Sequence, residues 1–191
     1  MFFLRKPSVD RIDSLLEKWR EVPANYSHVG ASDGEIPEGF TINRGSVSRG
    51  NGEDVFESAK EALRAWRQFD LSWAQICWPA TPLEEGKVIA VLARAVGLWS
   101  LTFCRIVYLI DEKDRFGFGY GSLERHPLQG EERFQIRRDD AGEVTFEILA
   151  FSRPANWLMK LGTLYVRRLQ RQFARESPQA FLRAIVEHPQ N

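Results

Sequence analysis

Two neighbouring carboxylates, Glu131 and Glu132, are the residues of this sequence best suited to acid–base chemistry or to holding a ligand. They fall in a segment with strand-like alternation, and adjacent residues of a strand point to opposite faces of the sheet. We expect Glu132 to face the interior with Phe134, whereas Glu131 faces outward. A carboxylate that leaves water must be paired or protonated, which suits it to anchor a ligand or to transfer a proton. The alternative interpretation is a structural ion pair, for example with Arg153 or Arg168.

A histidine and a tyrosine near this pair complete the set of candidate catalytic residues. His126 precedes Pro127, and Tyr120 belongs to the run Phe-Gly-Phe-Gly-Tyr-Gly over residues 116–121. In a strand this run places three aromatic rings on one face and three glycines on the other, a pattern typical of a bend or of close approach by another group. The rings then either fill the core or line a cavity, or the bare glycine face leaves room for a ligand. His126 could equally be an ordinary loop residue.

No other short pattern in the sequence points to a metal, a cofactor or a familiar catalytic site. The histidines His28, His126 and His188 are far apart, and Cys77 and Cys104 form no CxxC pair. Glycine-rich phosphate loops and the GxSxG turn are absent as well. We therefore predict no metal site and no cofactor. Two free thiols indicate a reducing compartment, so we expect a cytoplasmic protein.

Charge and hydropathy argue against two common classes of partner. The 191 residues carry 26 basic and 26 acidic side chains, so nothing in the charge favours binding to nucleic acid. The most apolar stretch, 88–104, contains Arg94 and is short for a membrane span of about 20 apolar residues, so we expect no integral membrane segment. The sequence does not indicate the oligomeric state.

The elements that would position these residues follow from the spacing of apolar side chains. Helical periodicity predicts an N-terminal helix over about 9–20 and a second helix over about 53–68. Between them, 25–39 is predicted to be a loop and 40–48 a first strand, in which Phe40 and Ile42 share a face and Val47 is out of register. A two-residue period predicts strands at 71–78, 87–95, 103–111, 115–123, 131–138 and 143–152, the last two forming a hairpin with one covered and one wet face.

A long C-terminal helix is predicted after the last strand. Its apolar stripe runs over 157–173, and we expect Pro178 to break the helix and to start a short final turn. Arg167, Arg171 and Arg175 recur every fourth residue and form a basic stripe opposite the leucines. That stripe indicates either a solvated helix face or a docking surface for an acidic partner or a lipid headgroup.

Together these elements predict an α+β fold, in which a strongly curved antiparallel sheet of about seven strands wraps around the long C-terminal helix. This order resembles the helix-grip arrangement of the START-like superfamily, which includes the birch-pollen-allergen and polyketide-cyclase types. We expect one such domain over 1–191, with the helix at about 9–20 as an addition to it.

The chain also resembles uncharacterised protein family 0548, a family found in bacteria and plants. The shared motifs run in the family's order over about 24–186 and are Tyr26–Gly30, Pro37–Phe40, Gly50–Gly52, Trp66–Phe69, Trp73, Thr81–Pro82, Gly117–Gly121, His126–Pro127, Gly130–Phe134, Phe151–Pro154 and Gln170. Ser122 departs from the family, which more often has threonine there. The resemblance implies no established activity. Its kinship to START-like folds implies a cavity for an apolar or amphipathic ligand, and a fold alone does not decide between binding, transport and catalysis.

Three hypotheses about function stay open at this point. The leading one is a protein that binds a small apolar or amphipathic ligand between the sheet and the C-terminal helix, with polar anchors at His126, Glu132 and Arg153. The second is a cyclase- or hydratase-like enzyme that uses Glu132 or His126 as acid or base and Tyr120 as a hydrogen-bond donor. The third is a protein-interaction module with a filled core. The aromatic residues expected to line a cavity are Trp73, Tyr108, Phe118, Tyr120, Phe134, Phe146 and Trp157.

Overall fold

Eight strands form one antiparallel sheet in the computed structural model, which describes residues 1–95, 97–155 and 163–187. The sheet order is β2-β8-β7-β6-β5-β4-β3, and the two-residue strand β1 pairs with β5. The bounds are β1 Phe2–Phe3, β2 Thr41–Asn51, β3 Ala74–Ile76, β4 Val88–Ala95, β5 Leu98–Asp111, β6 Arg115–Ser122, β7 Leu128–Arg138 and β8 Glu143–Pro154. The seven longer strands confirm the predicted curved antiparallel sheet. β1 escaped prediction because two residues are too few to show alternation.

Three α-helices accompany the sheet in the described part of the chain: α1 over Val9–Trp19, α2 over Glu53–Arg64 and α3 over Thr163–Glu187. The Ser8 hydroxyl caps α1 by accepting a hydrogen bond from the Arg11 amide at 3.3 Å. α2 ends four residues earlier than predicted because Trp66 adopts a left-handed backbone, with φ 58°, and starts a separate 3₁₀ turn. None of the described helices is long and apolar enough to cross a membrane.

The main core lies between the concave face of the sheet, α2 and the C-terminal half of α3. Phe146 stacks on Phe181 with 4.1 Å between ring centroids, and Trp66 packs edge-on against Phe118 at 5.0 Å. Leu63 is completely buried beside them. One end of the space between sheet and helix is therefore filled by aromatic side chains.

Pro178 does not break the C-terminal helix, contrary to the prediction. It lies inside α3, which continues to Glu187. Proline has no amide hydrogen, so it cannot bond to the carbonyl of Ala174 four residues earlier. That carbonyl oxygen lies against Gly45 of β2, where a Cβ would overlap it. Because Phe181 is buried in the core beyond the proline, packing against the sheet holds the helix together past this point.

The first predicted strand corresponds to β2, and α3 determines which of its residues face inward. Ile42 points outward and is 44% exposed, whereas Asn43, Gly45 and Val47 lie on the concave side. The inward face carries small and polar residues because α3 passes close above Gly45. Val47 thus lies on the opposite face from Ile42, in agreement with its position out of register in the sequence.

The convex face of the sheet is covered in two places, so the prediction of one wet face holds only in part. α1 packs on β4 and β5, where Trp19 stacks on Phe103 at 4.9 Å. The loop over 25–39 covers β6 and β7, where Tyr26 lies over Gly121. Both coverings bury side chains that the alternation alone would leave in water.

Candidate functional site

A cavity of about 230 Å³ lies between the concave face of the sheet and the first half of α3. It occupies the end of this space that the aromatic core does not fill. Its apolar walls come from the 3₁₀ turn at Arg67–Phe69, the strands and α3, and include Phe69, Trp73, Val91, Leu169 and Phe173. Apolar walls around a few polar groups are the usual anatomy of a small-molecule site.

Glu132 and Tyr120 form the main polar feature of the cavity. The Tyr120 hydroxyl donates a hydrogen bond to Glu132 Oε2 at 2.5 Å across the β6–β7 pair, in which the two residues are opposite each other. Burial raises the pKa of Glu132 to about 7, although the hydrogen bond from Tyr120 acts in the opposite direction. Burial and the nearby carboxylate together hold the pKa of Tyr120 well above its ordinary value. Glu132 can therefore exchange a proton close to neutral pH.

His126 also contributes to the cavity wall. Its Nδ1 lies 3.1 Å from the amide nitrogen of Leu128 and 2.9 Å from the carbonyl oxygen of the same residue. Burial lowers the pKa of His126 to about 4, while the hydrogen bond to Leu128 raises it in part. The ring is therefore neutral at pH 7, and Nδ1 is engaged in shaping the turn before β7.

The other polar side chains around the cavity differ in how far they are satisfied. Gln170 donates to the Ser152 hydroxyl at 2.7 Å, and Ser122 donates to the Asn25 side chain at 2.6 Å. Asn43 Nδ2 is buried at the cavity wall and has no hydrogen-bond partner among the described residues. An unpaired buried amide costs stability, so this group is a ready donor for a ligand or a water molecule.

The structure brings together four of the residues predicted for the site. Trp73, Tyr120, His126 and Glu132 all line the cavity. Trp73 in addition donates its indole N–H to Glu176 of α3 at 2.7 Å, which connects this wall of the cavity to the helix.

Three predicted aromatic residues lie on the same concave face but in the filled core. They are fully or almost fully buried among other side chains and do not line the cavity: Phe118, Phe134 and Phe146. The sequence identified their face correctly. It did not show that α2 and the end of α3 fill that part of the sheet.

Tyr108 lies on the convex face, away from the cavity. A bulge between Ile106 and Tyr108 adds one residue to β5, so that Tyr108 pairs with Gly119 on the opposite face from Ile106. Its hydroxyl is 2.7 Å from the Ser32 hydroxyl in the covering loop. Regular alternation would have put Tyr108 inside.

Arg153 lies outside the cavity as well. Its guanidinium sits 4.6 Å from the centre of the Phe40 ring, and its Nε donates to Gln129 at 3.0 Å. The remaining candidate, Trp157, lies outside the described residues.

Glu131 has an outward direction, as predicted, but it is buried rather than solvated, with 3% of its surface exposed. The loop over 25–39 surrounds its carboxylate with four donors. Tyr26 donates at 2.8 Å, the Gly30 amide at 2.5 Å, and Ser32 through both its amide at 3.0 Å and its hydroxyl at 2.7 Å. Glu131 thus fixes the loop to the sheet. Its carboxylate is engaged by the loop on the convex side and takes no part in the cavity.

The glycine face of β6 receives protein side chains rather than a ligand. A Cβ at Gly119 would overlap the Tyr108 ring, and a Cβ at Gly121 would overlap the Tyr26 hydroxyl. The run over 116–121 therefore packs on both faces of the sheet. Its aromatic rings point to the concave side, and its glycines leave room for Tyr26 and Tyr108 on the convex side.

Five uncharged polar residues of the described cavity wall were not among the predicted site residues: Asn43, Thr102, Ser122, Ser152 and Gln170. Gln170 carried a usable signal, because it is a polar residue next to Leu169 on the apolar side of α3. Asn43 carried none, since the weak alternation of its strand did not show which face points inward.

Comparisons with known proteins agree with this architecture. A family model described as Domain of unknown function (DUF1990) matches residues 25–180. A UPF0548 protein of Dictyostelium discoideum is 35% identical, with 97% of this chain and 96% of the relative covered. Another, of Arabidopsis thaliana, is 39% identical over 88% of this chain and 85% of the relative.

A solved structure extends the likeness to the fold. The crystal structure of Ara h 8.0201 has a TM-score of 0.51 and 13% identity, covering 78% of this chain and 99% of that one. At this identity the similarity establishes the helix-grip fold and nothing about the ligand.

Proposed function

The chain belongs to the DUF1990 family, and we propose that it binds a compact, largely apolar small molecule between its sheet and α3. The observation that carries the proposal is the cavity of about 230 Å³ with apolar walls and a single carboxylate–tyrosine pair inside it. The hypothesis of a protein-interaction module with a filled core does not account for an unfilled space of this kind.

The size of the cavity limits the ligand. An engineered apolar cavity of about 150 Å³ in another protein accommodates benzene, so about 230 Å³ has room for one aromatic ring with a short substituent. The Glu132–Tyr120 pair and the amide of Asn43, for which the described residues offer no hydrogen-bond partner, would orient a polar group on that substituent. Long-chain lipids are too large for the cavity as the described residues bound it.

The proposal is tested with a variant that fills the cavity. Ala93 contributes to the wall, so Ala93→Phe should occupy the space, whereas Ala141→Phe adds the same ring in an exposed turn. We expect native mass spectrometry to detect a co-purifying small molecule, or 2-phenylethanol to raise the melting temperature, in wild type and Ala141→Phe. Ala93→Phe should show neither effect. At a concentration of 100 times Kd, a ligand stabilises by about 2.7 kcal/mol.

The outcome that contradicts the proposal is specific. Absence of both a co-purified molecule and a 2-phenylethanol response in wild type would overturn ligand binding. So would an equal response in wild type and in folded Ala93→Phe.

One observation favours a second candidate, an enzyme that uses Glu132 as acid and base. A carboxyl group whose pKa is about 7 and which contacts a tyrosine hydroxyl at 2.5 Å can both take and return a proton near neutral pH. Acid–base chemistry of the cyclase or hydratase kind needs such a group. Neither the fold nor the family supplies the substrate.

The enzyme hypothesis predicts proton exchange at carbon. With the co-purified molecule in deuterium oxide, mass spectrometry should detect wild-type-catalysed exchange of a C–H hydrogen for deuterium. Glu132→Gln should stop the exchange while the molecule still binds. Exchange at the wild-type rate in Glu132→Gln would exclude this role for Glu132.

A further inference from the structure

We propose that the cavity selects an organic cation, namely a primary or secondary amine on a small aromatic or apolar skeleton, whose ammonium group pairs with Glu132. This inference rests on the proposed function, because it names the ligand class of the same cavity. It follows from the charges around that carboxyl group, from its oxygen that accepts no hydrogen bond from the described residues, and from the aromatic rings of the cavity wall.

The first argument is the imbalance of charge. Glu132 points into the cavity, and no lysine or arginine belongs to the described lining. The neighbouring Glu131 is occupied by donors on the other side of the sheet. The remaining polar or titratable side chains of the described wall are Asn43 on β2, Cys104 on β5, Tyr120 and Ser122 on β6, His126 before β7, Ser152 on β8, and Thr102 and Gln170 on β5 and α3.

None of these groups supplies a positive charge at neutral pH. Burial lowers the pKa of His126 to about 4, so its ring is neutral. Burial raises the pKa of Cys104 above its usual range, which keeps the thiol neutral as well. On α3, Glu176 adds a second carboxylate behind Trp73, with Arg175 beside it at 3.4 Å on the exposed side. Among the residues that the structure describes, an ionised Glu132 therefore has no counter-charge, and a cationic ligand would provide one.

The second argument is the hydrogen-bond geometry. Tyr120 donates to Glu132 Oε2, and Oε1 accepts no hydrogen bond from the described residues. A carboxylate oxygen can accept more than one hydrogen bond, and charge-assisted N–H bonds are its strongest partners. An ammonium group offers two or three such donors. A hydroxyl group donates a single uncharged hydrogen bond to this oxygen, and an aliphatic group donates none.

The third argument is the aromatic wall. Phe69 and Trp73 both pack against Phe173, with ring centroids 5.2 and 6.4 Å apart, and all three line the cavity. Ring faces attract cations by roughly 0.5–2 kcal/mol when water is excluded. The same rings also bind the apolar skeleton. The wall therefore suits a molecule with an aromatic or aliphatic body and a cationic end.

Selection of an amine has a defined pH signature. A cation binds the ionised form of Glu132, so protonation of Glu132 competes with binding. For a pKa of about 7, about 90% of Glu132 is ionised at pH 8 and about 10% at pH 6. Amine affinity should therefore fall about tenfold from pH 8 to pH 6. It should fall again near pH 10, where an alkylamine loses its own proton.

The test compares two probes of the same size by isothermal titration calorimetry. We expect 2-phenylethylamine to bind wild type about tenfold more weakly at pH 6 than at pH 8, whereas the Kd of 2-phenylethanol changes less than twofold. At pH 8, Glu132→Gln should weaken amine binding at least tenfold and leave alcohol binding within twofold. Glu124→Gln removes an exposed carboxylate and is the matched control, with wild-type affinity for both probes.

The outcomes separate this inference from the proposed function. If 2-phenylethanol binds and the amine shows neither tighter binding at pH 8 nor the loss at pH 6, the amine assignment is overturned and the cavity proposal stands. If neither probe binds wild type, the amine assignment is overturned, and the cavity proposal is overturned with it when no small molecule co-purifies. The pH comparison uses wild type alone, so it decides the question even if Glu132→Gln does not fold.

Discussion

Glu131 and Glu132 are adjacent in the sequence, and the structure gives them opposite roles. Strand alternation was enough to place Glu132 toward the interior and Glu131 away from it. The partners of Glu131 came from distant parts of the chain, since Tyr26 and Ser32 reach it across about 100 residues, whereas Tyr120, the partner of Glu132, is 12 residues away. The face of each carboxylate could therefore be predicted from the sequence, and the distant hydrogen-bond partners of Glu131 could not.

The raised pKa of Glu132 predicts a dependence of stability on pH. In the folded protein it titrates near 7, against 4.5 for the ordinary group, so between these values the folded state holds a proton that the unfolded state has released. Its contribution to stability is complete below pH 4.5 and is lost as the pH rises through 7. The free energy of unfolding of wild type relative to Glu132→Gln should therefore fall by up to about 1.4 kcal/mol per pH unit across this window.

Urea denaturation of both proteins at pH 4.5, 5.5, 6.5 and 7.5 measures this difference. The amide of glutamine keeps the volume of the side chain and an oxygen that can accept from Tyr120, so packing changes little. Parallel pH profiles for wild type and Glu132→Gln would show that Glu132 titrates normally in the folded state.

His126 should have the opposite effect in an overlapping window. Burial lowers its pKa from 6.5 to about 4, so between these values the unfolded state binds the extra proton. Its contribution is complete above pH 6.5 and is lost as the pH falls toward 4. The stability of wild type relative to His126→Asn should therefore rise with pH over this range, by up to about 1.4 kcal/mol per unit.

Asparagine is the appropriate replacement because its side-chain oxygen can accept the Leu128 amide hydrogen bond that Nδ1 receives. The same urea series provides the measurement. A stability difference that stays constant from pH 4.5 to 6.5 would contradict a lowered pKa of His126 in the folded protein.

At the scale of elements, periodicity predicted most of the fold and failed where an element is shaped by its neighbour. The predicted strands at 115–123 and 143–152 match β6 and β8 within two residues. α3 continues through Pro178 because the sheet supports it, and β2 turns polar residues inward because α3 passes above. Such effects depend on contacts between elements that are far apart in sequence. The local spacing of apolar residues therefore does not predict them.

Gly45 is the point where this dependence can be tested. A Cβ there would overlap the Ala174 carbonyl oxygen, so Gly45→Ala should force α3 away from β2. We expect a loss of about 1–3 kcal/mol in the free energy of unfolding, as for other overpacked sites. Gly34→Ala is the control, since the space around that glycine is open and the change should stay within about 0.5 kcal/mol.

Chemical denaturation with linear extrapolation gives both values. Equal stability of Gly45→Ala and wild type would mean that α3 is not held against β2 at this distance. In that case the cavity beneath the first half of α3 would also be wider than described.

For the whole molecule, the sheet separates two apolar clusters with different tasks. The concave cluster fills one end of the space under α3 and leaves a cavity at the other, which no single-residue pattern could locate. Phe134 of β7 and Tyr120 of β6 lie on the same face of the sheet, yet Phe134 is buried in the core and Tyr120 lines the cavity. The difference arises from α2, which covers only part of the sheet. The sequence could therefore predict which face of the sheet carries the site. It could not predict which residues of that face line the cavity.

The convex cluster under α1 should contribute stability without contributing to binding. Trp19 is 8% exposed and stacks on Phe103 on the opposite side of the sheet from the cavity. Trp19→Ala should lower the free energy of unfolding by about 3 kcal/mol, since a large buried ring leaves a cavity when removed. In the folded protein the Kd for 2-phenylethanol should stay within twofold of wild type.

Trp73→Ala is the matched variant on the concave side. It removes a wall of the cavity together with the donor to Glu176, so 2-phenylethanol should bind at least fivefold more weakly. Titration calorimetry and urea denaturation of the two variants under identical conditions distinguish the clusters. Weaker binding in fully folded Trp19→Ala would show that packing on the convex face is transmitted through the strands to the cavity. Because the strands carry Phe103 on one face and Cys104 on the other, β5 is where that transmission would occur.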